Sequence, residues 1–153
     1  MTVKDLAAFD VKSCSPDTDL ATAAKLMWDG DCGAVPVVND ERRILGMVTD
    51  RDICIAAATR GSKPSDIRVQ DVMSRNVATC RATDDVHDAL KTMKEARVRR
   101  LPVVDGQERL TGILSLNDIV MRAECRPNAA VSGERFLEAL KAIGTPARET
   151  VAA

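Results

Sequence analysis

Hydrophobic positions along this chain alternate between helical spacing and short continuous runs. One apolar stripe has helical spacing: Leu20, Ala23, Ala24 and Met27. Two compact apolar runs follow at residues 34–38 and 44–48, with the polar residues 39–42 between them. The stripe predicts an amphipathic helix that Gly33 ends. The two runs predict a β-hairpin, and residues 50–59 predict a second helix.

The same succession returns 66 residues later. Residues 3–55 align with residues 69–121 without a gap, and identical residues meet at 15 of the 53 paired positions. About four identities would be expected for this composition. Repeats of this length are supersecondary units that bury an apolar face against a twin. We therefore predict that the protein acts at or across the junction of two similar halves.

The repeat sets the expected organisation of the chain. Each copy is predicted to run strand, helix, strand, strand, helix, which is a mixed α/β (α+β) fold. A turn-rich linker at residues 60–65 joins the copies. We expect a first repeat at residues 1–62, a second at 63–126, and a C-terminal helix and tail at 127–153.

The C-terminal helix is predicted from Ser132 as its N-cap to an end near Gly144. It carries an apolar stripe formed by Phe136, Leu137, Leu140 and Ile143. This stripe either packs on the repeats or pairs with a second subunit.

Composition excludes several classes of function. The net charge is −1, and only three aromatic residues are present, so neither a basic surface nor a stacking platform for nucleic acid is expected. No apolar run approaches the roughly 20 residues of a membrane span. The N-terminal residues lack the pattern of a signal peptide, so we expect a cytoplasmic protein. No nucleophile with an adjacent base and no Walker-type loop is found, so we do not expect an enzyme.

The five cysteines form no C-x-x-C pair, and the chain has one histidine. These features argue against a disulfide framework or a structural zinc site. Cys14 and Cys80 are equivalent in the repeat, and small buried side chains are the simplest interpretation of both. A redox or metal-responsive role for this pair is the alternative.

One element of the repeat could carry chemistry. Glycine, two apolar residues, a hydroxyl, two spacers and aspartate occur at residues 46–52 and again at residues 112–118. Both copies stand where a strand gives way to a helix, and a helix N-terminus favours a bound anion. The hydroxyls of Thr49 and Ser115 could meet phosphate, and the carboxylates of Asp52 and Asp118 could accept ribose hydroxyls. The same spacing is also that of a capping box, worth about 1 kcal/mol, and the two roles can coexist.

These elements resemble the cystathionine beta-synthase (CBS) domain. The resemblance rests on residues 35–38, residues 46–52 and their second-copy equivalents, and it covers residues 1 to about 126. Two such domains in tandem form a Bateman module, and the chain is similar to small stand-alone bacterial proteins of this type, including those linked to hypoxic response. The resemblance implies that the repeats pack about a pseudo-two-fold axis and form two clefts for adenosine-containing ligands.

The resemblance also implies roles for individual residues. The ligands would be AMP, ADP, ATP or S-adenosylmethionine, with no required cofactor and no metal. The first strand of the opposite copy would line the base pocket. That places Lys12 and Cys14 in the Asp118 cleft, and Ala78 and Cys80 in the Asp52 cleft.

The two clefts are not expected to be equal. Arg97, Arg99 and Arg100 lie just before residues 101–103 (Leu-Pro-Val), where members of the family often carry basic residues that reach phosphates. The first copy has no cation at those positions and has only Arg51 nearby, whereas the equivalent second-copy residue is Asn117. We therefore expect the Asp118 cleft to prefer nucleotides with phosphates. The Asp52 cleft is expected either to remain empty or to take a less charged adenosyl ligand. The alternative for the arginines is a solvated surface strip.

Three functional hypotheses follow. The first is a regulatory module that senses an adenine nucleotide, forms a homodimer and signals to a separate effector protein. The second is a redox or metal-responsive protein that uses Cys14 and Cys80. The third is a structural interaction module whose motifs are only helix caps.

Overall fold

The computed structural model describes residues 1–122 and 133–145. Cys125, the proposed N-cap Ser132 and the predicted end of the fourth helix lie outside these residues. Five α-helices are described: α1 (Leu20–Asp29), α2 (Asp50–Thr59), α3 (Val86–Ala96), α4 (Leu116–Arg122) and α5 (Gly133–Gly144). Five strands accompany them: β1 (Ala34–Val38), β2 (Ile44–Thr49), β3 (Cys80–Arg81), β4 (Arg100–Val104) and β5 (Leu110–Ser115). No helix within the described residues is long and apolar enough to cross a membrane.

The chain divides into two compact units. The first-repeat unit comprises residues 10–77 and 106–110. The second-repeat unit comprises residues 1–9, residues 78–105 and the described residues from 111 onward. Each unit contains a pair of hairpin strands and the two flanking helices, except that residues 106–110, which include the turn of the second hairpin, belong to the first-repeat unit.

The first-repeat unit is built on the antiparallel pair β1–β2. Cys14 lies parallel to β1, where its amide donates to the carbonyl of Pro36 at 3.0 Å. Helix α1 begins after Asp19, whose carboxylate accepts the amide of Thr22 at 2.9 Å. The core is formed by apolar side chains from both helices and both strands, chiefly Leu20, Ala23, Met27, Val35, Val37, Val48, Ile53 and Ala56.

The end of α1 differs from the sequence prediction. The helix stops at Asp29 with Gly30 as its C-cap, and Gly33 lies three residues further on. The prediction that Gly33 ends the helix is therefore wrong. Asp31 takes the left-handed conformation in this connection, with φ of 47°, and its repeat equivalent Arg97 does the same at the end of α3, with φ of 54°.

The second-repeat unit has a three-stranded sheet in the order β3-β4-β5, with β3 parallel to β4. Helix α5 packs on α3, and Lys94 Nζ lies 3.0 Å from Glu138 Oε2. Ala139 of α5 is buried, and Phe136 and Ile143 pack against the core of the unit. The C-terminal stripe therefore packs on its own chain through these residues.

The segments that lead into the two repeats, residues 3–9 and 69–75, are exchanged: each one pairs with a strand of the other repeat. Ala8 forms an antiparallel bridge with Ile113 of the second repeat, with N···O distances of 3.0 and 2.9 Å. Ser74 forms the equivalent bridge with Met47 of the first repeat, at 2.9 and 3.0 Å. Each lead thus completes the body of the other repeat, and the two compact units and the two sequence repeats divide the chain differently.

A glycine lies next to the strand residue of each of these two bridges. A Cβ at Gly46 would lie 2.8 Å from the carbonyl oxygen of Ser74, and a Cβ at Gly112 would lie 2.7 Å from that of Ala8. Real Cβ atoms essentially never approach so closely. The repeated glycine is therefore required by the close approach of the lead segment to β2 and β5.

Candidate functional site

The first candidate corner lies where β2 gives way to α2. The carboxylate oxygen Oδ2 of Asp52 accepts the Thr49 amide at 2.9 Å and the Thr49 hydroxyl at 2.7 Å. The hydroxyl oxygen in turn accepts the amide of Asp52 at 3.2 Å. This reciprocal arrangement is a capping box, which satisfies amides that a helix start leaves without partners.

The second corner, between β5 and α4, repeats this geometry. Asp118 Oδ2 accepts the amide of Ser115 at 2.8 Å and its hydroxyl at 2.7 Å. The amide of Asp118 donates back to the Ser115 hydroxyl at 3.1 Å. The capping role predicted from the spacing is therefore present in both copies.

Capping leaves part of each carboxylate unused. Only Oδ2 of Asp52 and of Asp118 is engaged in the box, and Oδ1 of each has no hydrogen-bond partner within residues 1–122 and 133–145. Both aspartates are half-buried. Each corner thus keeps one acceptor oxygen that could receive a hydroxyl group, and the two roles can coexist in this structure.

Arginine residues adjoin the second corner. The carbonyl of Arg99 accepts the amide of Leu116, the first residue of α4, at 2.9 Å. The Arg99 side chain is exposed and that of Arg100 is half-buried. Neither makes an ion pair with any residue in the described part of the chain. The backbone of Arg99 therefore adjoins the start of α4, next to Ser115, Asn117 and Asp118, and Arg100 follows it in the chain.

The first corner has a different neighbour. The amide of Asp50, the first residue of α2, donates to the carbonyl of Gly33 at 3.1 Å, so a glycine takes the place of Arg99. Arg51 is exposed beside it. An arginine thus borders the start of α4 where a glycine borders the start of α2, and the ligand preferences predicted from this difference stay predictions.

Two of the four residues predicted to line the base pockets, Cys14 and Cys80, pair in parallel with a strand. Cys80 opposes Val103 of β4 in the second-repeat unit, which also contains Ala78. Cys14 opposes Val37 of β1 in the first-repeat unit, which also contains Lys12. Their assignment to the corner of the opposite copy, which the resemblance implied, stays a prediction.

The surroundings of the paired cysteines disfavour the thiolate form. Cys14 and Cys80 are both buried. Burial raises the pKa of the Cys14 thiol to about 11 and, with a smaller contribution from Asp84, that of Cys80 to about 12. Both thiols are protonated near neutral pH, and the thiolate is the form that reacts and binds metal. Among the described residues, no group of three or more histidine, cysteine, aspartate or glutamate side chains is arranged to hold a metal ion.

A groove beside Asp52 escaped the sequence analysis. It encloses about 290 Å³, which is near the lower limit for small-molecule sites. Its walls come from α2 and from the lead of the second repeat: Asp52, Ile55, Ala56, Thr59, Arg60, Asp71 and Val72. The Arg60 guanidinium donates to the carbonyl of Asp71 at 2.7 Å across it. This groove exists only because the lead is exchanged, so no local sequence signal could have revealed it.

Comparison with known proteins identifies the repeat. A family model for the CBS domain matches residues 3–58 and again residues 69–124. The CBS domain-containing protein YhcV of Bacillus subtilis is 35% identical over 78% of this chain and 83% of its own length. Hypoxic response protein 1 of Mycobacterium tuberculosis is 30% identical over 86% of this chain and 99% of its own length.

Other relatives are longer than the matched region. The chain spans 61% of the uncharacterized protein MK0525 of Methanopyrus kandleri, at 32% identity. It spans 23% of the inosine-5'-monophosphate dehydrogenase of Methanocaldococcus jannaschii, at 34% identity.

Solved structures agree with this fold. Hypoxic Response Protein I with two coordinated zinc ions matches with a TM-score of 0.73 and 31% identity, over 81% of this chain and all of that one. The CBS domain pair of protein MJ0100 in complex with 5'-methylthioadenosine and S-adenosyl-L-methionine matches with a TM-score of 0.72 and 25% identity, covering 79% and 94%. CBSX2 in complex with AMP matches with a TM-score of 0.67 and 28% identity, covering 78% and 93%.

Proposed function

The chain belongs to the CBS-domain family, and on that premise we propose that it is a regulatory module that binds an adenosine-containing ligand. Related CBS pairs have been crystallised with AMP, and with 5'-methylthioadenosine and S-adenosyl-L-methionine. This supports AMP, ADP, ATP or S-adenosylmethionine as ligands of this chain. The proposed module is not itself an enzyme.

The duplicated corner is the observation that carries this proposal. A capping box needs only one carboxylate oxygen, and each corner keeps Oδ1 of its aspartate without a partner among the described residues. A half-buried carboxylate oxygen beside a helix start is suited to accept a ribose hydroxyl, because charge-assisted hydrogen bonds are strong. We assign Asp52 and Asp118 this role, with the hydroxyls of Thr49 and Ser115 placed to meet a phosphate when the ligand carries one.

The second corner is proposed as the phosphate-preferring site. Arg99 and Arg100 lie beside it without an ion-pair partner in the described part of the chain, so their guanidinium groups can meet a phosphate. Lys12 and Cys14 are proposed for the base pocket of this site, and Ala78 and Cys80 for that of the Asp52 corner.

Signalling requires that the ligand bind two arrangements of the protein unequally. We propose a homodimer that passes the ligand signal to a separate effector protein. The exposed apolar residues of α2 and α4, Ile55, Val120 and Met121, are candidates for these contacts.

Calorimetric titration tests the ligand proposal. AMP, ATP, S-adenosylmethionine and adenosine are titrated into the purified full chain, with guanosine 5'-monophosphate as the control for the base. We expect saturable binding of at least one adenosine compound and none of the guanine nucleotide. Arg100→Ala should weaken AMP on the order of tenfold or more, because an Arg–phosphate pair is lost. Absence of binding by all four adenosine compounds would refute the proposal.

Zinc binding or redox sensing through Cys14 and Cys80 is the second candidate. The structural relative with two coordinated zinc ions is the observation in its favour. The raised pKa values of both thiols oppose it, since metal binding would first require loss of a tightly held proton. Elemental analysis after dialysis of the Cys14→Ser and wild-type proteins distinguishes the two: metal retained by the wild type alone would favour this candidate.

A further inference from the structure

We propose that Asp50 makes the first corner select adenosine-type ligands that lack a phosphate group. Its carboxylate takes the place at the start of α2 that a phosphate would otherwise occupy. The inference rests on the proposed function, and it names the residue that would set the ligand class of the Asp52 corner.

The hydrogen bonds at the start of α2 support this role. Asp50 Oδ1 accepts the amide of Arg51 at 2.7 Å. The amide of Asp50 donates to Gly33, and that of Asp52 donates to Thr49. The first three amides of α2 are therefore all satisfied by the protein, and the amide of Arg51 already has an anionic acceptor.

The second repeat lacks this internal acceptor. Leu116 occupies the position of Asp50, and its side chain is buried and apolar. The amide of Asn117, which is equivalent to that of Arg51, has no hydrogen-bond partner within the described residues. The corresponding amide is thus available in the second copy and occupied in the first.

Gly33 makes room for the Asp50 carboxylate. A Cβ at Gly33 would lie 2.8 Å from Asp50 Oδ2 and 3.3 Å from its Cγ. A longer side chain at position 33 would displace this carboxylate, and the second repeat has Arg99 there instead. The first repeat therefore has the anion Asp50 beside Gly33, at the place where the second repeat has the cation Arg99.

Besides the exposed Arg51, a phosphate arriving at the first corner would meet the like charge of Asp50 and no available amide among the first three of α2. Repulsion between two charges at close range weakens binding, and solvent screening at an exposed carboxylate limits the effect to on the order of tenfold in affinity. An uncharged nucleoside suffers no such repulsion, and its ribose can still reach Oδ1 of Asp52. We therefore expect the first corner to bind adenosine and to bind AMP poorly.

Paired titrations of adenosine and AMP test this inference on the full chain. The wild-type protein should bind adenosine at two sites per chain and AMP at one. Asp50→Asn removes the charge with little change of shape, and it should raise the affinity of the first corner for AMP on the order of tenfold while leaving adenosine unchanged. Asp40→Asn is the matched control, because it removes the same charge from the exposed β1–β2 turn and should change neither titration.

The location of the gained site is checked with the double variant Asp50→Asn/Asp52→Ala, which should lose it. Failure of adenosine and AMP alike to bind the wild type would refute the proposed function itself. Two equal AMP sites in the wild type, or one adenosine site, would overturn the inference and leave the proposed function standing. The inference is likewise overturned, and the proposed function left standing, if the Asp50→Asn protein has the melting temperature of the wild type but binds AMP no more tightly.

Discussion

The substitution Gly46→Ala tests the exchange of the lead segments, on which the fold of the first-repeat unit depends. The added Cβ would lie 2.7 Å from Met73 Sδ and 2.8 Å from the carbonyl oxygen of Ser74. The thioether can rotate away, but the carbonyl belongs to the backbone and accepts the amide of Met47 at 3.0 Å. Relief of the contact therefore requires the lead segment to move away from β2.

The cost can be worked from what that movement disturbs. Two backbone hydrogen bonds join Ser74 and Met47, each worth about 1 kcal/mol net. Overpacking adds about 1 to 3 kcal/mol, and the lower entropy of the unfolded alanine chain returns about 0.5 to 1 kcal/mol. Since the hydrogen bonds are lengthened rather than lost, we expect a loss of about 2 kcal/mol. This corresponds to a fall of about 4 to 8 °C in the melting temperature of a protein of this size.

Thermal and urea unfolding followed by circular dichroism at 222 nm measure this loss. Gly133→Ala is the control, because a Cβ there meets nothing within 4 Å, and it should raise stability by about 0.5 to 1 kcal/mol through the lower entropy of the unfolded chain alone. Gly112→Ala should behave like Gly46→Ala, since its Cβ would meet the carbonyl of Ala8 at 2.7 Å. If both strand variants unfold together with the control, the close approach of the leads is not present in solution.

Four further outcomes are expected. A thiol reagent at pH 8 should modify the exposed Cys54 quickly and the buried Cys14 and Cys80 only on unfolding; equal rates for all three would contradict the burial. Because burial raises the pKa values of Cys14 and Cys80 to about 11 and about 12, above their ordinary value of 9.0, the folded state should lose stability as the pH rises above 9.0, and Cys14→Ala should reduce that loss in urea titrations. Asp31→Gly should be more stable than Asp31→Ala by about 1 kcal/mol, because the residue is left-handed, and equal stability would argue against that conformation. Hydrogen bonds from the hydroxyl and then the amide of Thr22 lower the pKa of Asp19 below its ordinary value of 3.8. The stability that this cap contributes should therefore be present above pH 3.8 and be lost as the pH falls through the lower pKa of the folded state. Melting curves of Asp19→Ala should lack this loss on the acid side.

The hydrophobic pattern predicted the hairpins and their flanking helices because these elements depend on local spacing. The hairpin strands of the first copy were predicted at residues 34–38 and 44–48, and they are found at Ala34–Val38 and Ile44–Thr49. The end of α1 was missed because two glycines lie close together: Gly30 is the C-cap, and the carbonyl of Gly33 accepts the amide of Asp50 instead. Arg97 takes the left-handed conformation at the end of α3 without being a glycine, so its residue type did not indicate this cap.

The exchange of the leads could not be predicted from the repeat. Residues 3–9 and 69–75 have similar patterns of apolar and polar residues, so either lead could pair with the hairpin of either repeat. No feature of the sequence distinguishes pairing within a repeat from pairing between repeats. The capping geometry of Thr49 and Asp52 was predictable from a spacing of three residues. The contribution of Asp50 was not, because it depends on a glycine 17 positions earlier in the chain.

The exchange of the lead segments determines where the chain can be divided into single-repeat fragments. A fragment that stops at the linker of residues 60–65 would retain residues 1–9, which have no sheet of their own to join, and would lack Ser74, which borders β2. Such a fragment would expose the edge of β2 and become prone to pair with another copy. A fragment from about residue 10 through residue 77 would instead keep Ser74 beside β2, and it would lack residues 106–110 of the first-repeat unit.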